Sequence, residues 1–200
     1  RIAVETVIGT DDSRVTPGIA AADPALLHHR NIGDAVNLRQ IIGGRKAMPA
    51  AKISVQATKA SAENLNLLQA GRGEIAFTLG DALSDAWKGD EEAGFKTPLK
   101  KLRGVAGIYP NYIQIIASAD SGIKTLADLK GKRISVGAPK SGTELNARAV
   151  FKAAGLTYKD FSKVEYLPFG ESVELMKNRQ LDATLQSAGL GVASLRDLAT

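Results

Sequence analysis

The stretch Gly137-Ala138-Pro139-Lys140-Ser141-Gly142-Thr143-Glu144-Leu145-Asn146-Ala147-Arg148 follows a short apolar run, Arg133-Ile134-Ser135-Val136. A glycine turn between a strand and a helix exposes backbone N–H groups, and such groups attract anions. The spacing Gly137-x-x-x-x-Gly142 resembles a nucleotide-binding P-loop, but Thr143 stands where the phosphate-binding lysine belongs. Triphosphate chemistry is therefore not expected. Two readings remain open. Ser141-x-x-Glu144 has the form of a capping box, which needs no ligand. Alternatively, the N–H groups near Ser141, Gly142 and Thr143, with the Thr143 hydroxyl, receive a carboxylate or phosphate. One helix start contributes about 0.3–2 kcal/mol toward an anion. Micromolar affinity requires about 8 kcal/mol. An anion reader here thus needs a second wall.

Other candidates for chemistry are fewer. Asn146 and Arg148 lie within two turns of the helix start, and Arg148 suits either a bidentate carboxylate contact or a solvated surface. Tyr109-Pro110 ends an apolar run, where a chain commonly turns into a cleft. Asp81 and Asp85 fall one helical turn apart, which a cap or a solvated face explains better than acid–base work. Trp87 and Phe77 read as core. His28 and His29 are adjacent and point in different directions, so no metal site is expected. The well-patterned part of the chain holds no histidine, and the chain no cysteine, so no catalytic triad can be assembled there.

The elements that must carry these residues are legible after Pro49. Strands are expected at Lys52–Thr58, Glu74–Thr78, Gly104–Tyr109, Ile113–Ile116, Arg133–Gly137, Lys163–Leu167 and Leu181–Gln186. The two runs between Gly104 and Ile116 read as buried. Helices are expected from Ser61 as N-cap, with Leu65, Leu67 and Leu68 inward; from Asp81 as cap to about Trp87; from Gly142 to Ala154; over Glu171–Lys177; and from near Gly191. Leu126–Leu129 should form a helical turn closed by Gly131, and Gly155 should stop the helix before it. Ahead of Pro49 only a weak helix at Ala21–Leu27 and turn signals around Asp11, Pro17, Gly33 and Gly43 stand out. Alternating strands and helices argue for α/β layers with a mixed, mostly parallel sheet. A helix–turn–strand pattern also repeats: Glu63 and Glu74 correspond to Glu171 and Asp182 at a constant offset of 108. Such an echo suggests two similar lobes sharing a cleft at the carboxyl ends of their strands, where open α/β sheets bind ligands.

Composition narrows the partners. The 200 residues carry a net charge of +5, with 44% hydrophobic, 24% charged and 5% aromatic residues. Basic sets at Lys96, Lys100, Lys101 and Arg103, and at Lys130, Lys132 and Arg133, are not interleaved with aromatics. They suit a solvated surface better than a nucleic-acid groove, so no nucleic acid is expected. No run has the length of a membrane span. The opening at Arg1, without methionine, reads as a mature or trimmed product.

Several blocks together are similar to one family. They are Ser54-Val55-Gln56-Ala57-Thr58 with Glu63-Asn64-Leu65; Ile108-Tyr109-Pro110; the run from Ala119 through Asp128-Leu129-Lys130-Gly131-Lys132-Arg133; Val136–Thr143; and Asn146-Ala147-Arg148. Across roughly residues 50–200 they resemble the TAXI family, the extracytoplasmic solute receptors of tripartite ATP-independent periplasmic (TRAP) transporters. The resemblance implies a periplasmic-binding-protein type II fold, two α/β lobes around a hinge, with the C-terminal part of the family fold missing. It implies a periplasmic receptor that passes a small anionic solute, such as glutamate or a dicarboxylate, to membrane permease subunits. No catalysis, cofactor or metal is implied, and a monomer is expected. Carried over by position, the ligand-binding residues would be Thr78, Asp81, Tyr109, Ser141, Gly142, Thr143, Asn146, Gln186, Ser187 and Gly189. Lobe one would be 1–112 and lobe two 113–200, with Ile113–Ser118 crossing between them. Closure would bring Thr78 and Tyr109 toward Ser141–Thr143. The family's glycine-rich opening with paired tyrosines is not found here. Lys59-Ala60 stands where relatives have a glycine pair, and Leu79-Gly80-Asp81 replaces their Gln-Ser-Asp. The alternatives are an enzyme on the same bilobal fold, for which only Asp81, Glu144 and Tyr109 offer acid–base groups, and a sensory ligand-binding domain.

Overall fold

The computed structural model describes the backbone of residues 3–10 and, with side chains, residues 58–199. The strand expected at Lys52–Thr58, the helix at Ala21–Leu27 and the His28–His29 pair lie outside the described residues, except Thr58. The strands are β1 (Ala3–Thr10), β2 (Ile75–Leu79), β3 (Leu102–Ala117), β4 (Arg133–Ser135), β5 (Lys163–Glu165) and β6 (Ala183–Ala188). The helices are α1 (Ser61–Gln69), α2 (Gly80–Lys88), α3 (Gly142–Ala153), α4 (Phe169–Lys177) and α5 (Ala193–Leu198). They form a mixed α/β fold on one six-stranded sheet, ordered β2-β1-β3-β6-β4-β5. Parallel pairing joins β4 to β5 and to β6, whereas β3 runs antiparallel to both β1 and β6, and β1 to β2.

The long β3 organises the molecule. Its first part, to Asn111, pairs with β1, and from Tyr112 onward it pairs with β6. Sequence reading expected two buried strands here. The structure has one, because strand pairing runs on through Tyr109-Pro110-Asn111, with β1 up to Asn111 and with β6 from Tyr112. Arg103–Gly107 are also exposed rather than buried. Two apolar clusters flank this strand. One gathers Leu65 and Leu68 of α1, Ala82 and Ala86 of α2, and Phe95, Leu99 and Leu102. The other gathers Ile134, Val136, Ala147, Phe151, Phe161, Ala183 and Leu185.

The helix–turn–strand echo survives folding. Helix α1 spans Ser61–Gln69 and α4 spans Phe169–Lys177, the same 108-residue displacement at both ends. Strands β2 and β6 keep that displacement at their starts, Ile75 and Ala183. Other expectations needed adjustment. Ser61 is not an N-cap but the first helical residue, and its hydroxyl accepts the Leu79 N–H at 3.1 Å. Asp81 is not the cap of α2 either. The helix already begins at Gly80, and Asp81 Oδ1 accepts its neighbour's N–H, that of Ala82, at 2.8 Å. Leu67 is only half-buried beside the enclosed Leu65 and Leu68.

Asp182 ties the second cluster's strands together. It accepts from the Arg133 N–H at 2.8 Å, Nε at 3.1 Å and Nη2 at 2.6 Å, joining β4 to the entry of β6. These Arg133 bonds hold its carboxyl below the usual aspartate range.

Candidate functional site

Three helices begin at one place. Strand β2 ends at Leu79, and α2 starts at the next residue. The Leu79 N–H reaches the hydroxyl of Ser61, which opens α1. Across from both lies Gly142, the first residue of α3: a Cβ placed on it would stand 2.5 Å from Leu79 Cδ1 and 2.7 Å from Ser61 Oγ. Only glycine permits this approach of the second half of the chain to the first. The N-caps of α1 and α2, Ala60 and Leu79, make no side-chain cap bond. At α3, Ser141 Oγ accepts only the Glu144 N–H, at 3.2 Å. The first N–H groups of an α-helix have no acceptor within their own helix. Three helix N-termini therefore converge, each with a carboxylate in its first turn, Glu63, Asp81 and Glu144.

Ser141, Gly142, Thr143 and Asn146 are buried in the first turns of α3, and Thr78, Gln186 and Ser187 are buried in β2 and β6. Asn146 Nδ2 donates to Ser187 Oγ at 2.9 Å, linking α3 to the end of β6. Gly189 lies beside the Tyr109 ring, whose Cε2 would be 3.9 Å from a Cβ on that glycine. Gln186 is fully enclosed; its Oε1 accepts from Ser194 Oγ at 2.8 Å, and its Nε2 has no partner. Thr78 Oγ1 donates to the Leu79 carbonyl at 3.3 Å. Asp81 is half-buried one residue past the α2 start. The residue facing Gly142 is thus Leu79, next to Thr78, and Ser61 joins it. Sequence reading had seen Ser61 only as a cap. Its role shows only when the end of β2 is laid against α1.

The half-chains touch where Gly142 packs on Leu79 and Ser61. Two surface cavities of about 380 Å³ each are lined by Leu83, Trp87, Leu102 and Arg103, and by Glu165, Leu167, Glu171, Glu174 and Leu175. Neither is lined by any of the ten residues.

The capping box is half formed. Glu144 does not reach back to the Ser141 N–H, which instead bonds the Ala138 carbonyl at 3.1 Å. The buried Glu144 carboxylate accepts from Arg148 Nε at 2.6 Å and from the Tyr158 hydroxyl at 3.1 Å. Arg148 also donates to the Glu92 carbonyl at 3.2 Å, so its guanidinium is engaged within the protein rather than offered to a solute. Burial, with the Glu144 charge nearby, pushes the Tyr158 hydroxyl well above its usual range, keeping it a neutral donor.

Ala60 carries backbone strain. Its φ of 71° and ψ of −142° lie where alanine is rarely found and glycine is at ease. Ala60→Gly is expected to stabilise the chain by about 1 kcal/mol, after allowing for glycine's greater freedom when unfolded. That corresponds to a thermal midpoint about 2–4 °C higher. An unchanged or lower midpoint in a melting curve would contradict it.

Among the described residues no helix is long and apolar enough to cross a membrane. The fold has similarity to the periplasmic aliphatic sulphonate binding protein SsuA from Escherichia coli, at 23% identity and a TM-score of 0.45, over 74% of this chain and 47% of that one. The alkanesulfonate-binding protein SsuA from Xanthomonas axonopodis pv. citri, bound to MOPS, is 19% identical with a TM-score of 0.43, over 77% of this chain and 57% of that one. The chain thus spans about half the length of these solved proteins. The model of the NMT1-like family matches residues 35–200. With most of its length so matched, the chain belongs to the NMT1-like family.

Proposed function

We propose that this chain forms part of a two-lobed extracytoplasmic receptor for a small anionic organic solute, and that it serves a TRAP-type permease as a monomer without catalysis. Lobe one is residues 1–112 and lobe two is 113–200, hinged where β3 changes partner near Tyr112. One observation supports the reading: the starts of α1, α2 and α3 converge at Ser61, Gly80 and Gly142, and the N-cap residues of the first two make no side-chain cap bond. A site built this way selects negative charge through amide dipoles and hydroxyls. The Ser141–Thr143 turn and the Thr78–Leu79 strand end are its opposing walls, and Asn146, Ser187, Tyr109 and Gly189 lie toward the end of β6.

Three helix ends contribute about 1–6 kcal/mol together. The rest of a micromolar binding energy must come from enclosing the solute's carbon skeleton between the lobes. With Gly142 packed on Leu79, solute entry requires the lobes to part, so the described arrangement corresponds to a closed form.

The test is a thermal-shift and calorimetry panel of glutamate, succinate, a short alkanesulfonate and, as cationic control, lysine. At a hundredfold excess over Kd, binding adds about 2.7 kcal/mol of stability. At least one anion should raise the melting midpoint, and lysine should not. Thr143→Val should weaken that anion about tenfold or more, because a hydrogen bond to a charged group is lost. No shift from any anion at millimolar concentration would remove the receptor reading.

A further inference from the structure

The two halves are joined at the surface by a second contact. The segment after α2 is held firmly to the first apolar cluster, where Phe95 and Leu99 are buried. The Leu99 N–H bonds the Ala86 carbonyl at 2.9 Å, and the Phe95 N–H bonds the Asp90 carbonyl at 2.9 Å. Asp90 Oδ1 accepts the Glu92 and Ala93 N–H groups at 2.8 and 3.2 Å. Gly89, at φ 74°, packs so tightly on Pro98 that a Cβ would come within 2.6 Å. Glu92 is therefore presented on a fixed platform.

Helix α3 faces it with two cations one turn apart. Arg148, aligned by the enclosed Glu144 and bonded to it, donates to the Glu92 carbonyl at 3.2 Å. Lys152 Nζ meets Glu92 Oε2 at 2.8 Å. The same helix places Leu145 against the first cluster and Gly142 against Leu79. All of these contacts run between the α2–β3 side and α3, so the helix cannot swing away without breaking the Glu92 pair.

We propose that Glu92, gripped by Lys152 and Arg148, is an electrostatic latch that biases the closed arrangement of the two halves. Both charged ends are solvent-exposed, at 75% for Lys152 and 82% for Glu92. An exposed pair of this kind shifts an equilibrium by about twofold to fivefold, and salt screens it. Such weakness suits a device that must release on every cycle, since a much stronger clasp would hold the halves shut. Its functional meaning rests on the receptor reading, but its existence does not.

Hydrogen exchange of the intact chain, read by mass spectrometry without any solute, tests it. Lys152→Glu should speed exchange of the Gly142–Leu145 amides about twofold to fivefold while leaving the β6 amides unchanged. Molar salt should produce the same acceleration in the unaltered protein. The swap Glu92→Lys with Lys152→Glu should restore most of the protection. Unchanged exchange at Gly142–Leu145 in Lys152→Glu overturns the latch. So does an acceleration that spreads equally to β6, or one that the charge swap fails to reverse. Because no solute enters the measurement, a failed binding panel and a failed latch are separate results.

Discussion

Phe151→Ala is expected to cost about 3–5 kcal/mol. Phe151 is only 1% exposed and stands in the centre of the second cluster. Its ring meets Phe161 edge-on, with centroids 4.9 Å apart, and Tyr158 at 6.2 Å. Removing the ring forfeits its burial and leaves a void walled by rigid aromatic rings that relax poorly. For a chain of this size the thermal midpoint should fall by roughly 10 °C. The loss should also propagate. Tyr158 would lose one of its three ring neighbours, loosening its bond to Glu144 and hence the alignment of Arg148. A melting curve lowered by less than about 2 °C would show that the second cluster does not depend on this ring.

Gly137→Ala should follow, at about 2–4 kcal/mol, from two separate causes. The backbone there has a φ of 89°, which a side chain opposes. In addition, the new Cβ would stand 2.8 Å from both Cβ and Cγ2 of Thr143 and 3.1 Å from Ser141 Oγ. The turn cannot absorb the methyl without moving the start of α3. Pairing it with Thr143→Ser removes only the Cγ2 clash, and should recover a part of the urea midpoint, not all of it. Complete recovery, or a single-variant midpoint equal to that of the unaltered chain, would mean that the turn is looser than its geometry.

Local signals proved legible wherever one stretch of backbone decides its own conformation. Gly131 and Gly155 adopt positive φ and stop their elements where expected. Helix α3 starts at Gly142 with Ser141 as its N-cap. The 108-residue echo foretold two matching helix–strand units, because an amphipathic helix followed by an apolar strand is written in periodicity alone. Strand β1 lies ahead of Pro49, where the elements become legible, and Pro110 suggests a break in β3 that register with β1 and β6 bridges.

The candidate site was half legible. The turn at Ser141–Thr143 could be found from its glycines and its missing lysine. Across from it the sequence offered Thr78, but not Leu79 or Ser61, which matter only through proximity to Gly142. Arg148 illustrates the same limit, since a guanidinium near a helix start serves a solute or a neighbour equally well on paper. The folded chain turns it to Glu144 and Glu92.

By itself, the sequence determined the α/β class, the start of α3, the glycine stops, the repeated unit and the glycine turn, all of which follow from residue preferences acting over a few positions. Only the tertiary structure decided that three helix ends share one point, that the halves touch at Gly142, and that Glu92 faces Lys152. Those contacts join residues far apart in the chain, and their geometry is set by how β3 carries both halves on one sheet.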